Sequence, residues 1–388
     1  MAGMSRGVAV ATLAGVVAAL SFSCASGRTA APAAERSAVP GTSGTHGQVL
    51  FVSENVGWVV ASHSARHQTD IYKTADGGLH WALLSSLPEA AVQSIGVAES
   101  GLLLMPVDSD SHSDHLMFLA DGGGWERRSL PTVPPNVSVS VQFLPDMKHG
   151  WLLRDNYGDL FQTADGGRTW KVVSSLRKFE DAGTSPPVFW NATDGSMFDQ
   201  DGDNFVCLLT HDSGATWHTA GLPAIQAGED LGITAKLMLS PGELTMFDAT
   251  NGVLAIFLVD SADRSPDSPL RKFHYVTRTV DGGADWSAAK LVHLPAAGAP
   301  VFLDSQRWVL AGDRHLYFTR DAGVHWREAE GLNGGLWRGS GVIHVMQSNR
   351  NVAFLTFYER DIEWLDVSTD GGEHWKPVPL PDIREASA

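Results

Sequence analysis

The sequence predicts an all-β protein, a seven-bladed β-propeller in which each blade has four short strands. The first observation is compositional: the 388 residues include 40 glycines and 13 tryptophans but only 5 tyrosines, a balance that favours strands joined by tight turns. The second is a short motif ending in Trp that recurs along the whole chain. The third is a set of short apolar segments that repeats with the motif, which is typical of propeller blades of about 45 residues.

The repeated motif has the form Thr-x-Asp-x-Gly-x-x-Trp. Its first copy runs from Thr74 to Trp81, and its last copy begins with Ser368 in place of Thr. The copy between Ala120 and Trp125 is one residue short, so its turn is expected to be distorted or shortened. The seven copies contain Asp76, Asp121, Asp165, Asp212, Asp281, Asp321 and Asp370, followed by Trp81, Trp125, Trp170, Trp217, Trp286, Trp326 and Trp375.

The residue types of the motif are those of a turn between two antiparallel strands. The Asp carboxylate is expected to accept hydrogen bonds from backbone N–H groups two and three residues later. The Gly tolerates a left-handed backbone, and the Trp begins the next strand with its ring over the turn. Because an aspartate recurs once per unit, we interpret these seven residues as structural rather than catalytic.

Each motif follows apolar segments of strand length. In the first unit these are residues 49–53, 57–60 and 71–74. With the strand after the motif, each unit contains four strands, and seven units predict seven blades. Three tryptophans of the second segment are predicted to lie in the core: Trp58, Trp151 and Trp308.

The motif copies resemble the Asp box, or bacterial neuraminidase repeat, whose pattern is Ser/Thr-x-Asp-x-Gly-x-Thr-Trp. The resemblance extends over about residues 48–380. The apolar segment with Gly-Trp that precedes the motif also resembles propellers related to the photosystem II assembly factor, and those of the wider sortilin-like family. These resemblances imply a propeller fold.

The N-terminus predicts export. Arg6 precedes an uncharged apolar segment, residues 7–20, which at 14 residues is shorter than the roughly 20 needed to span a bilayer. The segment leading to Cys24 resembles a bacterial lipoprotein signal, in which the cysteine is lipidated, although Ser21 stands where that signal has an aliphatic residue. We therefore predict a lipidated Cys24 at the cell envelope. The alternative is ordinary signal cleavage close to this cysteine, with periplasmic or secreted release.

The predicted domain organisation has four parts. Residues 1–23 are a signal peptide, 24–47 a flexible linker rich in small residues and Pro, 48–380 the propeller, and 381–388 a C-terminal tail. The net charge of −16 argues against nucleic acid or an anionic membrane surface as a partner. Membrane contact is thus expected only through the lipid anchor, and the chain is expected to be monomeric.

Loop insertions are predicted to gather on the face opposite the repeated turns, where loops of propellers commonly bind ligands. The insertions are residues 108–115, 199–204, 221–232 and 259–272. Their acidic composition favours a protein partner or a neutral or cationic ligand. The candidate residues of this rim are Asp108, Asp110, His112, Asp114, His115, Asp199, Asp201, Asp203, Glu229 and Asp230.

Two of these loops contain residue types that can bind a metal ion. The loop 108–115 alternates carboxylates and imidazoles but matches no strict zinc or calcium pattern. Residues 199–204 resemble the start of a calcium loop, but Thr210 stands where an EF-hand loop requires a bidentate Glu. No metal or cofactor is therefore predicted.

Two classes of function remain open. The favoured one is a non-catalytic binding or assembly module. The alternative is a glycoside hydrolase, because sialidases and some glucanases share Asp boxes. The resemblance to sialidases would imply an Arg-Ile-Pro-like motif, and none occurs after residue 48. A glucanase needs only two carboxylates, which 44 acidic residues neither exclude nor locate.

Overall fold

The computed structural model describes residues 45–381 with internal gaps. The gaps are residues 64–65, 90–91, 107–112, 133–138, 155–157, 178–185, 202–203, 224–236, 261–271, 297, 313–314, 333–339, 347–348 and 359–361. The predicted signal peptide, Cys24, nearly all of the linker and all of the tail after residue 381 lie outside the described residues. Within these residues, no helix is long and apolar enough to cross a membrane.

The strands of the described residues form seven four-stranded sheets, the blades. Blades one to three contain β1 (Thr45–Phe51), β2 (Gly57–His63), β3 (Gln68–Thr74), β4 (Ala82–Leu87), β5 (Val92–Ala98), β6 (Gly101–Pro106), β7 (His115–Ala120), β8 (Trp125–Ser129), β9 (Val139–Phe143), β10 (Gly150–Arg154), β11 (Asp159–Thr163) and β12 (Lys171–Ser175). Blades four and five contain β13 (Val188–Phe189), β14 (Gly195–Asp201), β15 (Asn204–Thr210), β16 (His218–Ala220), β17 (Leu237–Met246), β18 (Gly252–Asp260), β19 (Lys272–Thr279) and β20 (Lys290–Val292). Blades six and seven contain β21 (Val301–Phe302), β22 (Trp308–Gly312), β23 (His315–Thr319), β24 (Arg327–Glu328), β25 (Ser340–Val345), β26 (Ala353–Tyr358), β27 (Ile362–Ser368) and β28 (Lys376–Val378).

Each blade consists of four consecutive antiparallel strands, so the chain completes one blade before it starts the next. The predicted fold class, an all-β propeller with seven four-stranded blades, is confirmed. The first strand begins at Thr45, three residues before the predicted start of the propeller. In the described sheets no blade takes a strand from another blade. The ring must therefore be closed by side-chain packing.

The described core consists of seven hydrophobic clusters, one at each junction between neighbouring blades. Successive residues of a strand point to opposite faces of the sheet, so Trp58 packs toward blade two and Val59 toward blade seven. At the closing junction, the rings of Phe51 and Phe354 stack with centroids 3.8 Å apart. The Trp81 Nε1–H donates to the Pro379 carbonyl at 2.7 Å, which ties the end of the chain to blade one.

The second strand of a blade begins with Gly in five blades, and in four of these the preceding strand approaches the glycine closely. A Cβ at Gly57 would lie 2.7 Å from Phe51 Cε1. In blade six Trp308 occupies this position, since it pairs with Thr319 as Gly57 pairs with Thr74. The prediction that Trp308 shares a position with Trp58 and Trp151 is therefore wrong by one residue. All three rings are buried, as predicted.

Candidate functional site

The six complete copies of the motif fold into one kind of turn, here called the box turn, between the third and fourth strands of a blade. In blade three, the Thr163 hydroxyl accepts hydrogen bonds from the backbone N–H groups of Asp165 and Gly167 at 3.3 and 2.9 Å. It donates to Asp165 Oδ1 at 2.8 Å, and the same oxygen accepts the N–H of Thr169 at 2.9 Å. Equivalent bonds form in the other five copies.

The backbone N–H groups that the Asp carboxylate accepts differ from those expected from the sequence. The Asp accepts the backbone N–H four residues later and not the one two residues later; in blade seven Asp370 accepts the N–H of Glu373, three residues later, as well. The N–H two residues after the Asp bonds to the Thr or Ser hydroxyl instead. The first residue of the motif is thus as important to the turn as the aspartate.

The glycine two residues after the aspartate is required by both its conformation and its surroundings. Gly78 has a φ of +89°, and a Cβ there would lie 2.3 Å from Val378 Cγ1 of blade seven. Trp81 follows the turn, and its ring lies 3.5 Å from the same Cβ position. The Trp ring therefore covers the turn, as predicted, and the tight fit holds the turn against the neighbouring blade.

These hydrogen bonds keep the box-turn carboxylates ionised. The backbone N–H of His80 lowers the pKa of Asp76 to about 2, and the N–H of His325 does the same for Asp321. For Asp165 the Thr169 hydroxyl is the main cause of a pKa of about 2. Partial burial opposes the shift at Asp212 and Asp370, but their hydrogen bonds outweigh it, and the N–H of Asp285 lowers the pKa of Asp281. A carboxyl group in this state accepts hydrogen bonds and holds no proton to donate near neutral pH.

The short copy of the motif in blade two forms a different turn. The turn is a tight hairpin in which Gly123 N–H donates to Ala120 O at 2.9 Å and Ala120 N–H to Gly124 O at 3.0 Å. No hydroxyl precedes the aspartate at the equivalent position, which is Leu119. The Asp121 carboxylate leaves the turn and pairs with the Lys73 ammonium of blade one. The turn is shortened, as its sequence predicts.

A second repeated turn, which the sequence analysis missed, joins the first two strands of a blade. In blade three, Asp146 Oδ1 accepts the N–H groups of Lys148 and His149 at 2.9 and 3.0 Å. The Lys148 carbonyl in turn accepts the N–H of Gly166 from the box turn at 2.9 Å, so the two turns form one surface, here called the box face. A polar residue four positions before the second strand is the signal that would have revealed it. The residues are Ser53, Asp146, Asn191, Asp248, Asp304 and Asn349.

Only part of the predicted acidic rim lies within the described residues. Asp114 Oδ1 lies 2.5 Å from His115 Nδ1, and the hydrogen bond from this imidazole is the main cause of a lowered Asp114 pKa. The same carboxylate pairs with Arg127 at 3.2 Å. Asp199 and Asp201 lie in β14, where the backbone is described. Asp108, Asp110, His112, Asp203, Glu229 and Asp230 lie outside the described residues, so the rim stays a prediction.

A cavity of about 540 Å³ opens on the box face between blades six and seven. Three separate segments supply its lining, which is why no local sequence pattern predicted it. In this cavity the Arg307 Nε–H donates to Asp304 Oδ2 at 2.6 Å, and Arg320 pairs with Glu373 at the edge of the cavity. The lining residues are Asp304, Ser305, Gln306, Arg307, Arg320 and Asp370.

Arg350 ties the inner ends of three blades together near this cavity. From the blade-seven turn, its guanidinium donates to the carbonyls of Leu303 in blade six and Met246 in blade five, at 3.3 and 3.0 Å. The guanidinium also lies 5.0 Å from the centre of the Phe247 ring. Burial lowers the pKa of Arg350, while the charges of Asp304 and the nearby Asp248 oppose that shift.

Asp370, Glu373 and His374 are close enough to be considered as a metal site, with ligand atoms within 4.8 Å of one another. Their partners argue for a different interpretation. His374 Nδ1 lies 2.6 Å from Asp370 Oδ2, and this hydrogen bond is the main cause of a raised His374 pKa. Glu373 pairs with Arg320. We interpret the group as an ion-pair network at the edge of the cavity.

Neither a family model nor a curated protein sequence matches this chain. Among solved structures, a puromycin-hydrolysing peptidase from Mycobacterium tuberculosis is similar at 13% identity over 87% of this chain and 54% of its own, with a TM-score of 0.52. YCF48 from Cyanidioschyzon merolae is similar at 14% identity over 86% of this chain and 95% of its own, with a TM-score of 0.46. YCF48 bound to a D1 peptide is similar at 13% identity over 84% of this chain and 92% of its own, with a TM-score of 0.43. This chain spans about half of the peptidase, and the likeness concerns the fold alone.

Proposed function

We propose that this chain is an Asp-box β-propeller that serves as a binding or assembly module at the cell envelope and does not hydrolyse glycosides. The state of its carboxyl groups is the observation that carries the proposal. A glycoside hydrolase needs a carboxylic acid whose pKa is raised so that it can protonate the leaving group. Twelve described carboxyl groups, including those of the six complete box turns, have a pKa that is lowered below its usual value.

The ties between blades support the same proposal, because a binding site is best held on a rigid support. Arg128 Nη1–H donates to the Gly166 carbonyl of the next blade at 2.6 Å. The Ser174 hydroxyl donates to the Gly214 carbonyl of blade four, also at 2.6 Å. Polar side chains near the box turns thus hold neighbouring blades together, which fits a scaffold better than a reaction centre.

The test of this function is a hydrolysis assay on the full mature chain. Aryl sialosides, aryl glucosides and soluble β-glucans cover the two hydrolase types that share Asp boxes. We expect no turnover above that of a heat-unfolded sample. Saturable turnover of any of these substrates that is lost on unfolding would establish the hydrolase alternative and refute the binding role as the sole function.

The envelope location is proposed from the signal sequence and has its own test. Cys24→Ala is expected to move the protein from the membrane fraction to the soluble fraction, because lipidation would anchor it. Cys207→Ala is the matched control, since Cys207 is buried and its burial raises the pKa of the thiol to about 12. Equal membrane fractions for wild type and Cys24→Ala would disprove the lipid anchor.

A further inference from the structure

The box face repeats from blade to blade, but the residue at two of its positions varies, so the fold demands no particular residue at either. One immediately precedes the second strand, and the other lies between the hydroxyl and the aspartate of the box turn. The first position holds Val56, His149, Asp194, Asn251, Arg307 and Val352, and the second holds Ala75, Ala164, His211, Val280, Arg320 and Thr369. Blade six alone among these has Arg at both positions, and both line the cavity.

The hydrogen bonds of the cavity leave donors rather than acceptors available. Both oxygens of Asp304 are already used: Oδ1 accepts the N–H groups of Gln306 and Arg307 at 2.7 Å, and Oδ2 accepts Arg307 Nε–H. Asp370 is likewise bonded through both oxygens, within its own box turn. The two carboxylates that line the cavity therefore have few acceptor sites left for a cationic ligand.

The two guanidinium groups have N–H groups to spare. Arg307 donates one hydrogen bond from Nε to Asp304 and one from Nη1 to Asn351 Oδ1. Arg320 donates one from Nη2 to Glu373. Within the described residues, no acceptor bonds to Arg307 Nη2 or to Arg320 Nε and Nη1. Each guanidinium has five N–H donors. The unfilled bonding capacity of the cavity thus calls for a hydrogen-bond acceptor.

The space in the cavity points the same way. Gly371 has a φ of +82°, and a Cβ there would lie 3.4 Å from Arg307 Nη1, so the glycine leaves this guanidinium uncovered. A volume of about 540 Å³ exceeds that of an inorganic ion and lies in the usual range for small-molecule sites. The positive charges of Arg307, Arg320 and Arg350 balance the carboxylates of Asp304, Asp370 and Glu373. Glu373 shows directly that Arg320 takes a carboxylate partner.

We propose that this cavity binds a small organic oxyanion, held by Arg307 and Arg320 through its carboxylate or phosphate group. Guanidinium groups bind both kinds of oxyanion through paired, charge-assisted hydrogen bonds. The proposal rests on the binding role argued above and names the ligand class for it. It places a site on the box face, separate from the acidic rim predicted for the opposite face.

The experiment is a calorimetric titration of the full mature chain at low ionic strength with two probes, inorganic phosphate and succinate. Saturable binding of either probe is expected, and the tighter one identifies the group that the site prefers. Arg307→Gln and Arg320→Gln are each expected to weaken binding by about tenfold, because each removes a charge-assisted contact. Arg327→Gln is the matched control: Arg327 is an exposed arginine of blade six in β24, outside the cavity. It is expected to change the affinity by less than about twofold.

Two outcomes would overturn the proposal: no saturable binding of either probe, or an equal loss in the Arg327→Gln control. A probe-induced shift of the Arg320 Nε–H signal in the wild-type protein provides a readout that needs no variant to fold. Failure of binding without glycoside turnover would remove the oxyanion site and leave the binding role standing. Glycoside turnover would refute the binding role as the sole function, whatever the titration shows.

Discussion

The box turn of blade three and the short turn of blade two solve the same problem, the connection between the two outer strands, in different ways. In blade three the Thr163 hydroxyl and the Asp165 carboxylate satisfy the backbone N–H groups of a longer turn. In blade two the backbone closes a shorter turn by itself, and Asp121 is free to pair with Lys73 of the neighbouring blade. The aspartate is kept in both, but it stabilises its own turn in one and the contact between blades in the other.

This difference shows what the complete motif is for. A longer turn leaves more N–H groups away from partners in the sheet, and buried N–H groups without partners are costly. The hydroxyl, which is buried in Thr163, and the aspartate supply acceptors for them. The shorter turn has no such need, so the loss of the hydroxyl there does not open the blade.

The largest effect that would sharpen this comparison comes from the glycines. Gly78→Ala should destabilise the protein by roughly 4 kcal/mol, because the Cβ would overlap Val378 and the positive φ is strained for Ala. Gly122→Ala in the short turn should change stability by less than about 0.5 kcal/mol, since nothing lies within 4 Å of its Cβ position. Urea unfolding of both variants measures the difference. Similar losses in the two variants would mean that the two turns are equally constrained.

A smaller but still clear effect is expected at the hydroxyl. Thr163→Val should cost about 2 kcal/mol, because the N–H groups of Asp165 and Gly167 would lose their acceptor. Thr163→Ser keeps the hydroxyl, as in the natural Ser368 copy, and should cost much less. If Ser and Val destabilise the protein equally in urea unfolding, the methyl packing and not the hydrogen bonds gives Thr163 its role.

Acid should weaken the box turns in a defined pH range. The folded pKa of Asp76, Asp165 and Asp321 is about 2, below the usual 3.8, so the ionised carboxylates stabilise the fold above pH 3.8. That contribution is lost as the pH falls from about 4 to about 2. Urea midpoints should therefore drop over this range, and less so in Asp165→Asn, which has one such group fewer. An identical drop in the variant would contradict a contribution from Asp165.

The smallest effect should come from the aspartate of the short turn. Asp121→Ala should cost no more than about 0.5 kcal/mol, because the Asp121 side chain is exposed and water screens its ion pair with Lys73. Raising the salt concentration should remove most of even this difference. A loss comparable to that of Thr163→Val would show that the short turn depends on its carboxylate after all.

The sequence was sufficient for the parts of the structure that arise from local, repeated patterns. The count of blades and strands and the place of each box turn follow from a motif that recurs at one point in every unit. The role of the Thr hydroxyl was missed because the sequence does not tell which of two acceptors, a hydroxyl or a carboxylate two residues later, bonds to which N–H group of the turn. The second repeated turn was missed because its signal, a polar residue such as Asp146 four positions before a strand, is short and varied.

The cavity could not be predicted for a different reason. Arg307, Arg320 and Asp370 come from three segments of two blades, and only the packing of blade six against blade seven brings them together. The sequence likewise does not show that Trp308 occupies the position of Gly57 and not that of Trp58. These two positions are adjacent, and only the pairing of the strands tells them apart. The predicted rim lies mainly outside the described residues and stays a prediction.

The most direct test of the account is a titration of the side-chain carboxyl signals of Asp76, Asp165 and Asp321 by carbon-13 NMR. If these carboxylates are ionised acceptors that close turns and do not donate protons, the titration midpoints of all three groups lie near 2. A midpoint above the usual 3.8 for any of them would contradict the structural role and would point to a carboxylic acid suited to catalysis.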